Sequence, residues 1–103
     1  KNFLKRGYSL NKIKMTLSQK GIGSELLKKT IENIKKDNED PDFYSAIKIC
    51  KRRRIGPYRP DANKEMFFKK DIGVLARAGF SYDTSVEVLN IDKKELKILE
   101  KKI

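Results

Sequence analysis

The sequence predicts an all-α protein made of short helices packed in a line. Three observations lead there. Apolar residues recur three, four and seven apart along nearly the whole chain, the period of one helix face, and strand alternation is not sustained anywhere. The phrases FLKRGY, LSQKGI and LARAGF each set an apolar residue four before a glycine and another directly after it. That is the pattern of a helix closed by a left-handed residue. Hydrophobic and charged residues each make up 38% of the 103 residues, so the core is thin and the surface heavily ionic. Helices in a row suit that composition better than a deep globule.

Each element has its own warrant. The pattern at Lys1 is that of mid-helix, which suggests a piece of a longer protein, with about six residues of a first helix ending at Gly7. A Schellman turn there brings Tyr8 against Phe3. Ser9 is the N-cap of a second helix over 9–20, with Leu10, Ile13 and Leu17 on one face; Gly21 ends it and pairs Leu17 with Ile22. Ser24 caps a third helix, whose stripe is Leu27, Thr30, Ile31 and Ile34. The stretch KDNEDPD, with Asp37, Glu39, Asp40 and Asp42, reads as an acidic linker. Asp40 before Pro41 is a strong start signal, because proline at the first helical position loses no hydrogen bond. The next helix turns Phe43, Ile47 and Cys50 inward, and Gly56 is a looser fourth closing turn, with Pro57 blocking continuation and Tyr58 nearby.

Asp61 caps a long middle helix over 62–78 that carries Phe68, Ile72 and Leu75. Gly73 inside it costs about 1 kcal/mol relative to alanine and suggests a close helix approach. Gly79 closes it and sets Phe80 on Leu75, and Ser81 caps a helix with Tyr82, Ser85, Val86 and Leu89 on one face. Asp92 and Glu95 form a capping box for a seventh helix with Leu96, Leu99 and Ile103 in a narrow stripe, which either covers the end of the array or meets a partner.

These elements repeat. LSQKGIGSELLKKTI lays onto LARAGFSYDTSVEVL with Leu17 on Leu75, Gly21 on Gly79, Ile22 on Phe80 and Ile31 on Leu89, and KRGY answers RIGPY upstream. The chain divides into three-helix modules over 1–37 and 38–91, with 92–103 an added C-terminal helix. Neither module has much core of its own, so each leans on its neighbour, as in other helical repeats.

The chemistry points to binding rather than catalysis. There is no histidine to serve as an imidazole base, and the lone Cys50 sits on an apolar face as a structural thiol. The carboxylates are scattered or stand at helix starts, and no phosphate-loop spacing or metal-ligand cluster occurs. No apolar run is long enough for a membrane span. Net charge is +11, and it is segregated: Lys1 to Ser24 and Phe43 to Pro60 each carry six cations and no acid. Such segregation suggests a polyanionic partner or an ordinary solvated basic face.

KICKRRRIGPYR is the best candidate for a partner or phosphate-binding segment, through Lys51, Arg52, Arg53, Arg54, Tyr58 and Arg59. The four consecutive cations exceed what a helix dipole requires, and they wrap the last turn so that they cannot all face one partner. Arg59 and Tyr58, in a proline-flanked turn, present a fork of donors and an aromatic face. Lys69, Lys70 and Arg77 on the second module's middle helix, and Lys12 and Lys14, are secondary candidates. Phe67 beside Phe68 is either buried against the neighbouring module or an exposed anchor.

FFKKDIGVLARAGFSYDTSVEVL strongly resembles the closing segment of the RecX family of recombinase regulators, and KRGYSLNKIKMTLSQKGIGSELLKKTI resembles its preceding module. The likeness covers roughly residues 2–91 and rests on Gly7, Tyr8, Ile13, Leu17, Gly21, Ile22, Phe68, Leu75, Ala76, Arg77, Gly79, Phe80, Ser81, Tyr82, Asp83, Val88 and Leu89. Leu10 stands where the family often has proline, Ala78 replaces a second arginine, and an N-terminal module usual in the family is missing. The resemblance implies an elongated, slightly curved array of three-helix modules. It also implies a monomeric, cytoplasmic negative regulator of homologous recombination, in DNA repair and the SOS response. Its partner is the RecA recombinase and its filament on single-stranded DNA, whose ATP hydrolysis and strand exchange it inhibits. Direct DNA contact is implied as a possibility; a cofactor, a metal, a membrane and a small-molecule substrate are not. A stand-alone basic helical nucleic-acid-binding module is the alternative.

Overall fold

A computed structural model describes residues 3–103; Lys1 and Asn2, where the predicted first helix begins, lie outside the described residues. Among the described residues the chain forms seven α-helices and no strand. They are α1 Leu10–Gln19, α2 Ser24–Asp37, α3 Pro41–Arg53, α4 Asp61–Lys64, α5 Phe68–Arg77, α6 Tyr82–Leu89 and α7 Lys93–Glu100, with a 3-10 turn at Gly56–Tyr58 after α3. None of them is long and apolar enough to cross a membrane.

Three closing turns follow the rule read from the sequence. Gly7, Gly21 and Gly79 have φ of 83°, 90° and 97°. The amides of Tyr8, Ile22 and Phe80 donate back to the carbonyls of Phe3, Leu17 and Leu75 at 3.0, 3.1 and 3.1 Å, the Schellman pattern. The Phe3 and Tyr8 rings stack with centroids 5.1 Å apart, although Phe3–Gly7 is a hydrogen-bonded turn rather than the expected helix.

The fourth turn falls elsewhere. It is Arg54, at φ 59°, that closes α3, with the Ile55 amide on the Cys50 carbonyl at 3.0 Å. Gly7 therefore corresponds to Arg54, and the match of KRGY to RIGPY slips by two residues. A left-handed residue other than glycine costs about 1 kcal/mol, and burial of Ile55 directly after it offsets that cost. Gly56 instead opens the 3-10 turn, where a Cβ would run into the Leu89 side chain.

Caps are mixed. Ser9, Ser81 and Asp92 accept from the amides of Lys12, Thr84 and Glu95. Ser24 and Asp61 are instead first helical residues, because extended Gly23 and Pro60 take the cap positions. Asp40 is left-handed at φ 41° and its carboxylate makes no cap bond.

The expected helix over 62–78 is broken at residues 65–67. The break lets the Phe67 ring lie under the Arg59 guanidinium, with Cζ 4.2 Å from the ring centroid, while Asp71 one turn later grips the same guanidinium. Gly73 faces no neighbouring helix; the Arg77 guanidinium lies over it, 3.5 Å from where a Cβ would stand.

The second half of the chain has a core of its own, contrary to the expectation of two thin modules. Phe43, Ala46, Ile47 and Cys50 from α3 meet Ile55, Leu75, Phe80, Val88, Leu89 and Ile91, and Leu96 and Leu99 of α7 close over them. In this way α7 covers the body, while Ile103 stays exposed. The α1–α2 pair contributes only Ile13 and Ile31 as buried apolar residues. Polar bonds join it to the α3–α7 body. The Ser9 hydroxyl donates to Ala78 O at 2.8 Å, Asn11 Nδ2 to Gly79 O at 3.2 Å, and the Leu10 amide to Asp42 Oδ1 at 2.9 Å. The result is elongated, 46 × 26 × 21 Å, with a radius of gyration of 14.3 Å against about 13 Å for a compact domain of this length.

Candidate anion-binding interface

The interface is organised by the C-terminal half of α3. A helix advances about 100° per residue, so four consecutive cations reach four different surroundings. Lys51 points toward α7, with Nζ 4.0 Å from Glu100 Oε2. Arg52 turns to the N-terminal turn, where Nη2 donates to Arg6 O at 2.7 Å and the bare backbone of Gly7 leaves room for it. Arg53 turns toward α5. Arg54, left-handed beyond the helix, stays exposed.

Two basic grooves result, one on each side of Arg52. The first, of about 320 Å³, is lined by Lys12 of α1, Ile49, Arg52 and Arg53 of α3, and Val74, Arg77 and Ala78 of α5. The second, of about 500 Å³, is lined by Lys5, Lys48, Lys51, Arg52 and Ile103. Among the described residues no carboxylate side chain lines either. Lys48 donates to Leu4 O at 3.0 Å, and burial, helped by the like charge of Lys5, pulls its pKa below the usual lysine value. Lys12 lies over the Tyr8 ring, with Nζ 4.3 Å from the centroid.

Arg59 is engaged inside the fold. Its Nε and Nη2 donate to Asp71 Oδ2 and Oδ1 at 2.8 and 2.9 Å. Asp71 is 1% exposed and also accepts from the Gly56 amide at 3.1 Å. The fork read as a phosphate binder thus holds the turn at residues 56–59 against α5, because a buried carboxylate needs those donors. Tyr58 is similarly occupied: its hydroxyl donates to Glu100 Oε2 at 2.7 Å, and burial together with Glu100 raises its pKa. Lys93 ties α7 to the same turn through the carbonyls of Pro57 and Arg59. Burial, with the Asp71 charge, pushes the Cys50 thiol up to about 12, as suits a structural thiol.

No family model and no solved structure matches the chain. It is 30% identical over 86 residues to the regulatory protein RecX of Myxococcus xanthus (strain DK1622), across 82% of this chain and 44% of that protein. The likeness is consistent with a RecX-family member. The chain spans less than half the length of this RecX relative.

In this chain the structure brings Arg52, Arg53 and Arg77 into one groove with Lys12, and Lys51 into the other with Arg52. Arg54, Lys69 and Lys70 line neither. Lys69 borders a third cavity, of about 470 Å³, with Lys64, Met66, Phe68 and Leu89, and Lys70 lies 5.9 Å from the Phe67 ring centroid. Lys14 borders a shallow site beside exposed Met15. Sequence reasoning passed over Lys5 and Lys48. Their signal was the two acid-free stretches that contain them; what was lacking was the knowledge that those stretches fold side by side.

Proposed function

We propose that the chain is a non-enzymatic regulator of the RecA recombinase. In this reading it binds the recombinase and its filament on single-stranded DNA and lowers ATP hydrolysis and strand exchange in the cytoplasm. The observation that carries the reading is the match to the RecX relative over most of this chain. Two features of the molecule support it. An elongated helical body 46 Å long suits a ruler laid along an assembly of repeating subunits. The paired basic grooves suit acidic side chains or phosphates on such an assembly. We read residues 1–37 and 38–91 as the two modules that meet neighbouring recombinase protomers, with α7 as a cover. The grooves also support the second reading, a stand-alone nucleic-acid-binding module whose affinity falls steeply with salt.

One comparison separates the two. DNA-dependent ATP hydrolysis by RecA is measured with and without this chain, at concentrations where the chain alone binds little DNA. Inhibition well below one copy per recombinase protomer favours the filament reading. Inhibition that appears only as the chain saturates the DNA favours the nucleic-acid module.

A further inference from the structure

The groove of about 320 Å³ straddles the joint between the α1–α2 pair and the α3–α7 body. Lys12 comes from one side of that joint, and Arg52, Arg53 and Arg77 come from the other. Among the described residues none of these four cations makes an ion pair; the pairs present are Lys51 with Glu100 and Arg59 with Asp71. Polar bonds from Ser9, Leu10 and Asn11 cross the joint, and buried Ile13 and Ile31 of the α1–α2 pair are not part of the apolar cluster of the α3–α7 body. Like charges placed on both sides of such a joint push it open. An anion of two or more charges seated between them reverses the sign of that term, and does so only while the joint is closed.

The groove's shape selects the ligand. Its volume lies near the lower end of the range for ligand sites, about 300–1,000 Å³. Arginine forks match the oxygens of a phosphate, and among the described residues no aromatic side chain lines the groove to stack a base. We propose that this groove binds a phosphate-type oxyanion, and that binding locks the α1–α2 pair onto the α3–α7 body. The stiffness of the chain is then set by its ligand. The inference rests on the groove and the joint, not on the recombinase reading, so it stands or falls on this chain alone.

The Leu10 amide is the reporter, because its acceptor is the Asp42 carboxylate across the joint rather than a carbonyl of its own helix. Its hydrogen exchange is followed by NMR at fixed ionic strength, with sodium chloride replaced by pyrophosphate in one arm and by an abasic deoxyribose-phosphate oligomer in another. At about ten times the dissociation constant, a ligand specific to the closed joint slows exchange about tenfold. Slowing by pyrophosphate assigns the site to free phosphate compounds, and slowing by the oligomer alone assigns it to backbone phosphate; either sustains the proposal. Arg53→Gln and Arg77→Gln each abolish the slowing, while exchange at the core amides of Ile47 and Leu75 stays as in the parent and shows that the variants are folded. No slowing in either arm overturns the proposal, and so does slowing that survives both substitutions.

Discussion

Asp71→Ala tests whether Arg59 is held inside the fold or free for a ligand. The carboxylate is 1% exposed and accepts from Gly56 N, Arg59 Nε and Arg59 Nη2. Removing one partner of a buried charge pair costs about 3–5 kcal/mol. The Arg59 side chain is 16% exposed and can swing partway to water, which sets its share at the lower end, about 3 kcal/mol. The Gly56 amide loses its acceptor in a buried turn, adding about 1 kcal/mol. The sum, about 4 kcal/mol, is a large part of the roughly 5–15 kcal/mol that holds a domain of this size. In urea unfolding followed by far-ultraviolet circular dichroism, the midpoint falls steeply for Asp71→Ala. Asp71→Asn, which keeps an acceptor for Gly56 but loses the charge, falls about half as far. Replacing both members with leucine recovers much of the loss, since no unpaired charge remains. If Asp71→Ala unfolds within about 1 kcal/mol of the parent, the pair is not what holds the turn, and Arg59 returns as a ligand for an external anion.

Other outcomes follow from the same geometry. Gly21→Ala meets only the left-handed backbone cost, about 1–2 kcal/mol, because nothing stands near its Cβ; Gly79→Ala carries that cost and also collides with Ser9 at the joint, so it unfolds at clearly lower urea. With its pKa raised to about 12, Cys50 resists a thiol reagent in the folded state at pH 8 and reacts fully once unfolded. By linkage the unfolded chain releases that proton first, so stability falls as pH rises from about 9 toward 12. Charge reversal at Arg53 with Arg54 weakens inhibition of the recombinase without changing helix content; full inhibition by that variant would refute their role in docking.

The helices were legible because their signals are local. A closing turn needs a left-handed residue and an apolar residue after it, and Gly7, Gly21 and Gly79 meet both needs within six residues of chain. The break at 65–67 was not legible: no glycine or proline marks it, and its cause, the grip of Arg59 on Phe67 and Asp71, is tertiary. Gly56 misled for a related reason. It does adopt positive φ, but to clear Leu89 rather than to close α3. For the candidate groove, the sequence marked Arg52, Arg53 and Arg77, and the fold sets them beside Lys12. Arg59 looked equally good by composition. Only its distance to Asp71 separates a structural fork from one open to a ligand.

That separation explains why a run of four cations does not make one binding patch. Helical geometry sends Lys51, Arg52 and Arg53 to three neighbours; of these three, among the described residues, Arg53 alone makes no hydrogen bond or ion pair, and it faces another cation, Arg77, across a groove. Arg52 lines both grooves but also holds the N-terminal turn through Arg6 O. Its removal disturbs fold and charge together. Lys51 is partly neutralised by Glu100, and Arg54 lines neither groove. If the groove binds as proposed, Arg53 is therefore the position at which loss of charge changes recognition with the least change in structure, and single reversals at Arg53 and Arg54 separate a groove-bound ligand from a diffuse electrostatic attraction. A groove ligand responds to the first alone, whereas diffuse attraction responds to both alike.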